Sequence, residues 1–411
     1  MTAETVELVL DPYDYEFHEN PYPYYKRLRD EAPLYRNETL NFWALTRHAD
    51  VHSGFRNSTA FSNKLGVSLD PISRNTEAHR TMSFLAMDDP AHLRLRTLVS
   101  KGFTPRRIRE LEPRVQSLTR MRLEDALHNS DSGHFDFIAD FAGKLPMDVI
   151  SELVGVPEPD REQLRALADG VMHRQDGVPD VPESALRAAM DLLVYYADMV
   201  AQRRKHPTDD LTGALLEADI DGDRLADEEI MAFLFLMVVA GNETTTKLLG
   251  NAMYWGARNP DQLAGVYDDP STVPLWVEET LRYDNSTQIL ARTVTGDVEF
   301  HGVTLRDGDT LLLVPGSANR DERVFDAPDE FRIGRDIGSK LLSFGSGVHF
   351  CLGAHLARME ARLALTELVG RISGYEVDEA HAVRVHSSNV RGFAALPITV
   401  RPRAGEGSPR D

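Results

Sequence analysis

The sequence has 411 residues and only one cysteine, Cys351, so no disulfide can form within it. A chain of that kind suits a reducing compartment. Long hydrophobic runs are missing too: the longest, Met231 to Ala240, is about half the ~20 residues needed to span a membrane. The first residues, Met1 to Glu7, lack the basic and apolar regions of a signal peptide. Positive charge is scarce, with 45 Lys and Arg against 65 Asp and Glu, a net −20. So acidic a chain is repelled by nucleic acid and by anionic membranes, which speaks against both as main partners. No fixed-period repeat and no low-complexity tract interrupts the 42% hydrophobic, 27% charged composition. These absences leave a globular protein, expected to be cytoplasmic and monomeric.

What is present reads as mainly α with small β-sheets. Leu186, Met190, Leu193, Ala197 and Val200 recur at helical spacing before Pro207 and predict one buried helix face. Asp89-Pro90 opens another helix that stops near Gly102 and Pro105. A third, from about Asp223 to Trp255, is apolar nearly all round and should cross the interior. From Ile289 short strands are expected at Ile289–Val294, Val298–Phe300 and Thr310–Val314, separated by Gly296-Asp297 and Asp307-Gly308. An irregular stretch, about Ser317 to Ser343, is long enough to imply a site. No composition shift marks a boundary, so residues 1–411 are expected to form one domain. About 1–13 and 403–411 should be loosely ordered.

The segment from Phe344 to Gly353 is the most informative. Gly345, Gly347 and Gly353 permit positive φ and close backbone approach to a flat ligand. Cys351 sits just before a predicted helix with Leu352, Leu356, Met359 and Leu363 on one face, where free N–H groups favour an anionic sulfur. Without that context a lone cysteine is simply a small buried hydrophobe. The segment resembles the haem-binding loop of the cytochrome P450 family, Phe-x-x-Gly-x-x-x-Cys-x-Gly, through Phe344, Gly347, Cys351 and Gly353. The resemblance runs from about Asp14 to Val400 and is to the soluble bacterial branch. It implies the P450 fold, with haem b between the long central helix and the cysteine loop, and Cys351 as axial ligand of the iron. Phe344, Gly345 and Gly353 would complete the haem cradle.

In the middle of the predicted central helix stands Ala240-Gly241-Asn242-Glu243-Thr244-Thr245. Gly costs a helix roughly 1 kcal/mol, and a buried Glu wants a partner, so either the helix reaches solvent there or the polar residues do chemistry. The segment matches the family's Ala-Gly-x-Glu/Asp-Thr signature, which implies oxygen activation. Gly241 would let the helix open, Thr244 would bond near the oxygen, and Glu243 would relay protons. The resemblance also implies that His92, Arg96, Arg292 and His349 contact the haem propionates, since buried carboxylates need charge-assisted hydrogen bonds. Glu279 and Arg282 fit a structural Glu-x-x-Arg pair. Where many relatives carry an Arg, this chain has Pro328-Asp329-Glu330-Phe331, so Arg332 or Arg335 would have to complete that network.

By position, Leu236, Val239, Ala240, Ile289, Leu290 and Val390 should line an apolar substrate pocket, with Gln288 offering one hydrogen bond. Gly177–Val181 falls where the family has a mobile lid. Arg94, Arg96, Lys101, Arg106, Arg107, Arg358 and Arg362 form a basic patch suited to an acidic ferredoxin or a flavodoxin. With no flavin or nicotinamide domain in the chain, electrons would come from NAD(P)H through such a carrier. The expected activity is hydroxylation or epoxidation of a medium-sized hydrophobic molecule with O2. The competing readings are a haem sensor without turnover, which has no need of the Glu243–Thr244 pair, and a protein without haem.

Overall fold

The computed structural model describes residues 8–172 and 180–403. The expected lid, Gly177–Val181, lies largely outside the described residues, as do positions 1–7 and 404–411. Order begins earlier than the sequence suggested. Leu10 is fully buried and the Asn37 side chain donates to its carbonyl at 3.0 Å, so 8–13 is packed rather than loose. At the other end the Arg403 amide donates to the Arg371 carbonyl.

The central element is the helix Asp227–Ala257. Three acids, Asp227, Glu228 and Glu229, fill its first turn, where the helix dipole favours negative charge. The Glu229 carboxylate also accepts the Ala226 amide at 2.9 Å. Apolar side chains on several sides, including Ile230, Phe233, Leu234, Val238 and Leu249, are buried, as expected of a helix crossing the interior. Around it pack the helices Leu145–Val154, Glu183–Lys205, Val273–Tyr283 and Ala354–Arg371.

A five-stranded sheet lies to one side, in the order Leu34–Asn37, Phe42–Leu45, Thr310–Leu313, Leu290–Val294, Phe61–Ser62. Leu290 pairs with Leu313 and Arg292 with Leu311 in antiparallel register. Alternation along a strand sends neighbouring side chains to opposite faces. Ile289 and Ala291 therefore enter a core with Leu10, Phe17 and Leu312, while Leu290 and Arg292 face the central cavity. From Ser317 to Ser343 the chain is irregular apart from short turns, as expected.

One helix face departs from expectation. In Glu183–Lys205 the buried side is Ala185, Ala188, Leu192, Tyr196, Met199 and Val200, whereas Met190 is 62% and Leu186 37% exposed. Two faces of this helix carry apolar residues, and the inner one packs on the helix Arg161–Met172, where a Cβ on Gly170 would stand 3.1 Å from the small Ala188 side chain.

Candidate active site

Between the central helix and the cysteine loop lies a cavity of about 1400 Å³ of empty space, the solvent at its mouth included. The central helix contributes Phe233, Leu236, Met237, Ala240, Gly241, Thr244, Thr245 and Leu248. These positions recur at three and four residues, one continuous stripe of a helix. Val239 falls off that stripe and does not line the cavity.

The loop opposite is shaped by glycine. Gly345 and Gly347 adopt φ of 69° and 73°, and a Cβ on Gly347 would stand 3.0 Å from the Phe55 carbonyl oxygen. The Cys351 amide donates to the Phe344 carbonyl at 2.9 Å, and the helix Ala354–Arg371 starts three residues later. Cys351 is solvent-accessible by surface area, but it lines the cavity, so its sulfur faces that enclosed space. Burial pushes the thiol's pKa up, against the Gly353 amide, the Arg96 and Arg358 guanidinium groups and the Ala354 amide. The helix start alone does not make a thiolate; coordination to a metal ion would deprotonate the sulfur outright.

The four expected propionate donors converge. The rings of His92 and His349 lie 4.1 Å apart. His92 Nε2, His349 Nδ1 and Arg96 Nη1 are buried without a hydrogen-bond partner. Burial, reinforced by His92, Arg292 and Arg96, pushes the His349 pKa down to about 3. Burial likewise pushes Arg292 down to about 10, and its Nη1 reaches only the Ala291 carbonyl at 2.8 Å. One buried and one half-buried guanidinium and two imidazoles, of which only His92 meets a carboxylate of the chain, Asp89 at 3.1 Å through its other ring nitrogen, fit a ligand that brings its own carboxylates to the unpartnered nitrogens. These residues suit haem.

On the oxygen side the helix is not opened at Gly241. The Thr244 hydroxyl donates to the Ala240 carbonyl at 2.8 Å, and a Cβ on Gly241 would stand 2.5 Å from Ile150 Cδ1, so this glycine serves close packing. Glu243 is 8% exposed and its Oε1 lies 3.1 Å from Lys247 Nζ. Lys247, four residues on, escaped the sequence reading, although that spacing is an ion-pair signal on any helix.

Of the expected pocket residues, Leu236, Ala240 and Leu290 line the cavity; Val239, Gln288, Ile289 and Val390 do not. Ile289 is turned away by strand alternation. The Gln288 amide is spent on the Asn285 carbonyl at 2.7 Å, and Val390 is buried beside Thr287 in an isolated bridge. In their place stand Phe84, Leu85, Phe233 and Met237. Phe233 was legible, three residues before Leu236 on the same stripe; Phe84 and Leu85 come from a short irregular helix without periodic signal.

Glu279 and Arg282 form a bidentate pair at 2.7 and 2.8 Å, both side chains fully buried. Arg282 also donates to the Asn319, Pro328 and Glu330 carbonyls. Arg335 completes the network, with Nε 3.3 Å from Glu279 Oε1, whereas Arg332 supplies only its backbone amide. The basic patch is largely neutralised. Arg94 pairs with Asp223 and Glu229, Arg106 with Glu110, Arg107 with Asp209, Arg358 with Glu278 and Arg362 with Glu112. Lys101 is taken by the Asp219 carbonyl. Leu93, Val348 and Phe350 are the exposed apolar residues beside the cysteine loop.

The cytochrome P450 family model matches residues 271–397. A protein of Mycobacterium tuberculosis named cytochrome P450 123 is 68% identical over 397 residues, 97% of this chain and 98% of its own. The vitamin D(3) 25-hydroxylase of Pseudonocardia autotrophica is 36% identical over 94% of this chain and 96% of its own. Among solved structures, CYP109Q5 from Chondromyces apiculatus matches with a TM-score of 0.86 at 32% identity, covering 96% and 98%. CYP109E1 from Bacillus megaterium, in complex with testosterone, matches with 0.82 at 30% identity, covering 92% and 99%.

Proposed function

Since this chain belongs to the cytochrome P450 family, with its fold, its haem b and its monooxygenase activity, we propose that it hydroxylates or epoxidises a neutral, steroid-sized apolar molecule. A single domain carries the activity. The observation behind this reading is the cavity, which has the Cys351 sulfur on one side, Thr244 on the other and apolar or aromatic side chains between. Among the described residues the charged types lining it are Arg96, Arg292 and Glu360; the two arginines belong to the propionate cluster and burial pushes the Glu360 carboxyl up, toward its neutral form, so the substrate is held by shape rather than charge. A vitamin D hydroxylase and a testosterone complex among the relatives support a substrate of that size.

Haem, when bound, supplies the redox chemistry that splits O2, one atom going to substrate and one to water. Cys351 would hold the iron, and Arg96, Arg292, His92 and His349 the propionates. Phe84, Phe233 and Met237 exclude water and press the substrate into place. Glu243 takes up protons and passes them to the Thr244 hydroxyl oxygen, and the hydroxyl must let go of the Ala240 carbonyl to hand its own proton on.

Electrons come from NAD(P)H through a reductase and a ferredoxin or flavodoxin docked beside the cysteine loop. Because most of the cations there are already paired with acids, docking centres on Leu93, Val348 and Phe350, and turnover should depend only shallowly on salt. No described helix is long and apolar enough to cross a membrane, which fits cytoplasmic work. The ferrous carbon monoxide spectrum tests the reading: the far-red-shifted thiolate band must be present, and Cys351→His must abolish it. Thr244→Ala should keep the band while oxygen use uncouples from product.

A further inference from the structure

The helix Glu183–Lys205 has a second apolar side that the described residues leave open. Leu186, Met190 and Val194 are 37%, 62% and 58% exposed and recur every fourth residue, so they stand in one line on its outer surface. Ala197 and Ala201, half-buried and exposed, continue that line. The helical spacing of Leu186, Met190 and Ala197 predicts a covered face, and the described chain does not supply the cover. Apart from the group beside the cysteine loop, the other exposed large apolar residues occur one to an element, and single ones need no explanation.

The line has a direction. Its large residues come first and its small ones last, and charge follows the same order. Glu183 opens the helix, 88% exposed even in its contact with Arg187. Lys205 closes it without an ion-pair partner among the described residues, whereas Arg203 and Arg204 beside it pair with Asp210 and Asp227. A second copy laid antiparallel about a two-fold axis near Val194 meets this line with its complement. Leu186 then faces Ala201 of the other copy, Met190 faces its Ala197, and Glu183 faces its Lys205, since the members of each pair lie nearly equally far to either side of residue 194. A parallel pairing would set large against large and Glu183 against Glu183. Asp191 and Asp198 fall about a quarter-turn off the line, toward solvent.

We propose that Leu186, Met190, Val194, Ala197 and Ala201 form the contact of a reversible homodimer, in place of the expected monomer, with the two Glu183–Lys205 helices packed antiparallel. The same patch serves both copies, as a closed two-fold contact requires. Two copies of net charge −20 repel at a distance, and an exposed ion pair contributes little. The apolar line therefore carries the affinity, and the Glu183–Lys205 pairs fix the direction. A helix of 23 residues is about 35 Å long, so a strip ~10 Å wide covers roughly 350 Å² per copy. That is well below the ~800 Å² per partner of a stable interface, and the dimer is accordingly weak and dependent on concentration.

Sedimentation velocity of the haem-loaded protein between about 1 and about 100 µM should show monomer passing into dimer. Met190→Asp should stay monomeric throughout that range, a loss of more than about tenfold in association, since a charge set into the apolar line is left unpaired. Its carbon monoxide band and denaturation midpoint should match the wild type, because the position is exposed. Cross-linking reads the direction. The axis brings residue 194 beside its mate, within the ~7 Å Cα separation a disulfide tolerates, so mild oxidation should link Val194→Cys copies. Leu186→Cys, about 24 Å from its mate, should not link, and the wild type, whose one thiol is Cys351, is the blank. A wild type that stays monomeric up to about 100 µM overturns the dimer. If that monomer instead floats with phosphatidylcholine–phosphatidylglycerol vesicles, and Met190→Asp does not, lipid is the occupant and the dimer is overturned as well. A dimer untouched by Met190→Asp overturns this face, and cross-linking that does not favour residue 194 over 186 overturns the antiparallel direction.

Discussion

Two buried glutamates in this molecule each face a cation on their own helix, and they are built for opposite ends. Glu279 meets Arg282 through two parallel contacts, and Arg282 spends its remaining donors on three carbonyls of the irregular stretch. Glu243 meets Lys247 through a single 3.1 Å contact, with one carbonyl as the cation's other partner. A guanidinium is planar, always charged and matched to a carboxylate fork; an ammonium is a point charge on a flexible stem. The first pair is saturated and cannot let go without orphaning buried groups. The second can release its acid while the ammonium keeps a carbonyl. Burial of a salt bridge does not by itself say whether it is structure or machinery; the count of remaining partners does.

The largest expected effect breaks the first pair. Glu279→Ala leaves Arg282 charged and fully buried without its carboxylate, at about 3–5 kcal/mol, a large part of the ~5–15 kcal/mol that holds a typical protein folded. Urea unfolding should show the loss, and the yield of protein with the thiolate carbon monoxide band should collapse. Full recovery of that band would dissolve the contrast. Glu243→Gln attacks the second pair. The protein should fold and bind substrate as before, while product formation falls about 100-fold, the lower reach of a lost proton-transfer group. Substrate-induced spectral shifts, compared with the rate of product formation, separate the two effects.

A third acid sharpens the same contrast through pH. Asp284, two residues past Arg282, is fully buried. Burial pushes its carboxyl up, but Arg391 and Arg384 together with the Trp255 and Tyr22 donors pull it further down, to about 2 from 3.8. A depressed carboxyl stabilises the fold above its unfolded value and loses that stability as pH falls toward the folded value. Stability should therefore lose roughly 2 kcal/mol between about pH 4 and pH 2, and Asp284→Asn, already weakened at neutral pH, should lack that part of the acid slope. Denaturant midpoints across that range check it.

How much of this could be read in advance follows the same division. Fixed-spacing motifs were legible: Cys351 in its glycine loop, Glu243-Thr244 and Glu279-x-x-Arg282 appear in the structure where the spacing put them. The interior central helix was legible from its apolar run, and the strands at 290–294 and 310–313 from their turn pairs. What failed was choosing among faces. Leu186 and Met190 carry a correct helical period on the wrong side, and Ile289 is apolar like Leu290 but one residue out of phase with the cavity. Periodicity gives an angle, not the identity of the neighbour that fills it. The basic patch failed for a related reason: Arg94 and Arg362 find Asp223 and Glu112 more than a hundred residues away. No local pattern announces such partners.

The smallest effect concerns the departure at Pro328–Phe331, where either Arg332 or Arg335 could have joined Glu279. The two are three residues apart and chemically identical, so only surroundings can rank them. The Arg335 side chain is 7% exposed, with Nε on Glu279 and Nη2 on the Ala327 and Glu330 carbonyls. The Arg332 side chain is 42% exposed and turned to Glu330 and Asp326 at the surface; only its backbone amide, which any residue supplies, touches Glu279. Arg335→Ala should thus cost about 2 kcal/mol, in line with losing hydrogen bonds to a charged, buried partner. Arg332→Ala should leave the denaturation midpoint where it was, since exposed pairs are screened and contribute little. Equal losses from the two would mean that the network extends outward to the surface acids, and that Glu279 is less sealed than its burial implies.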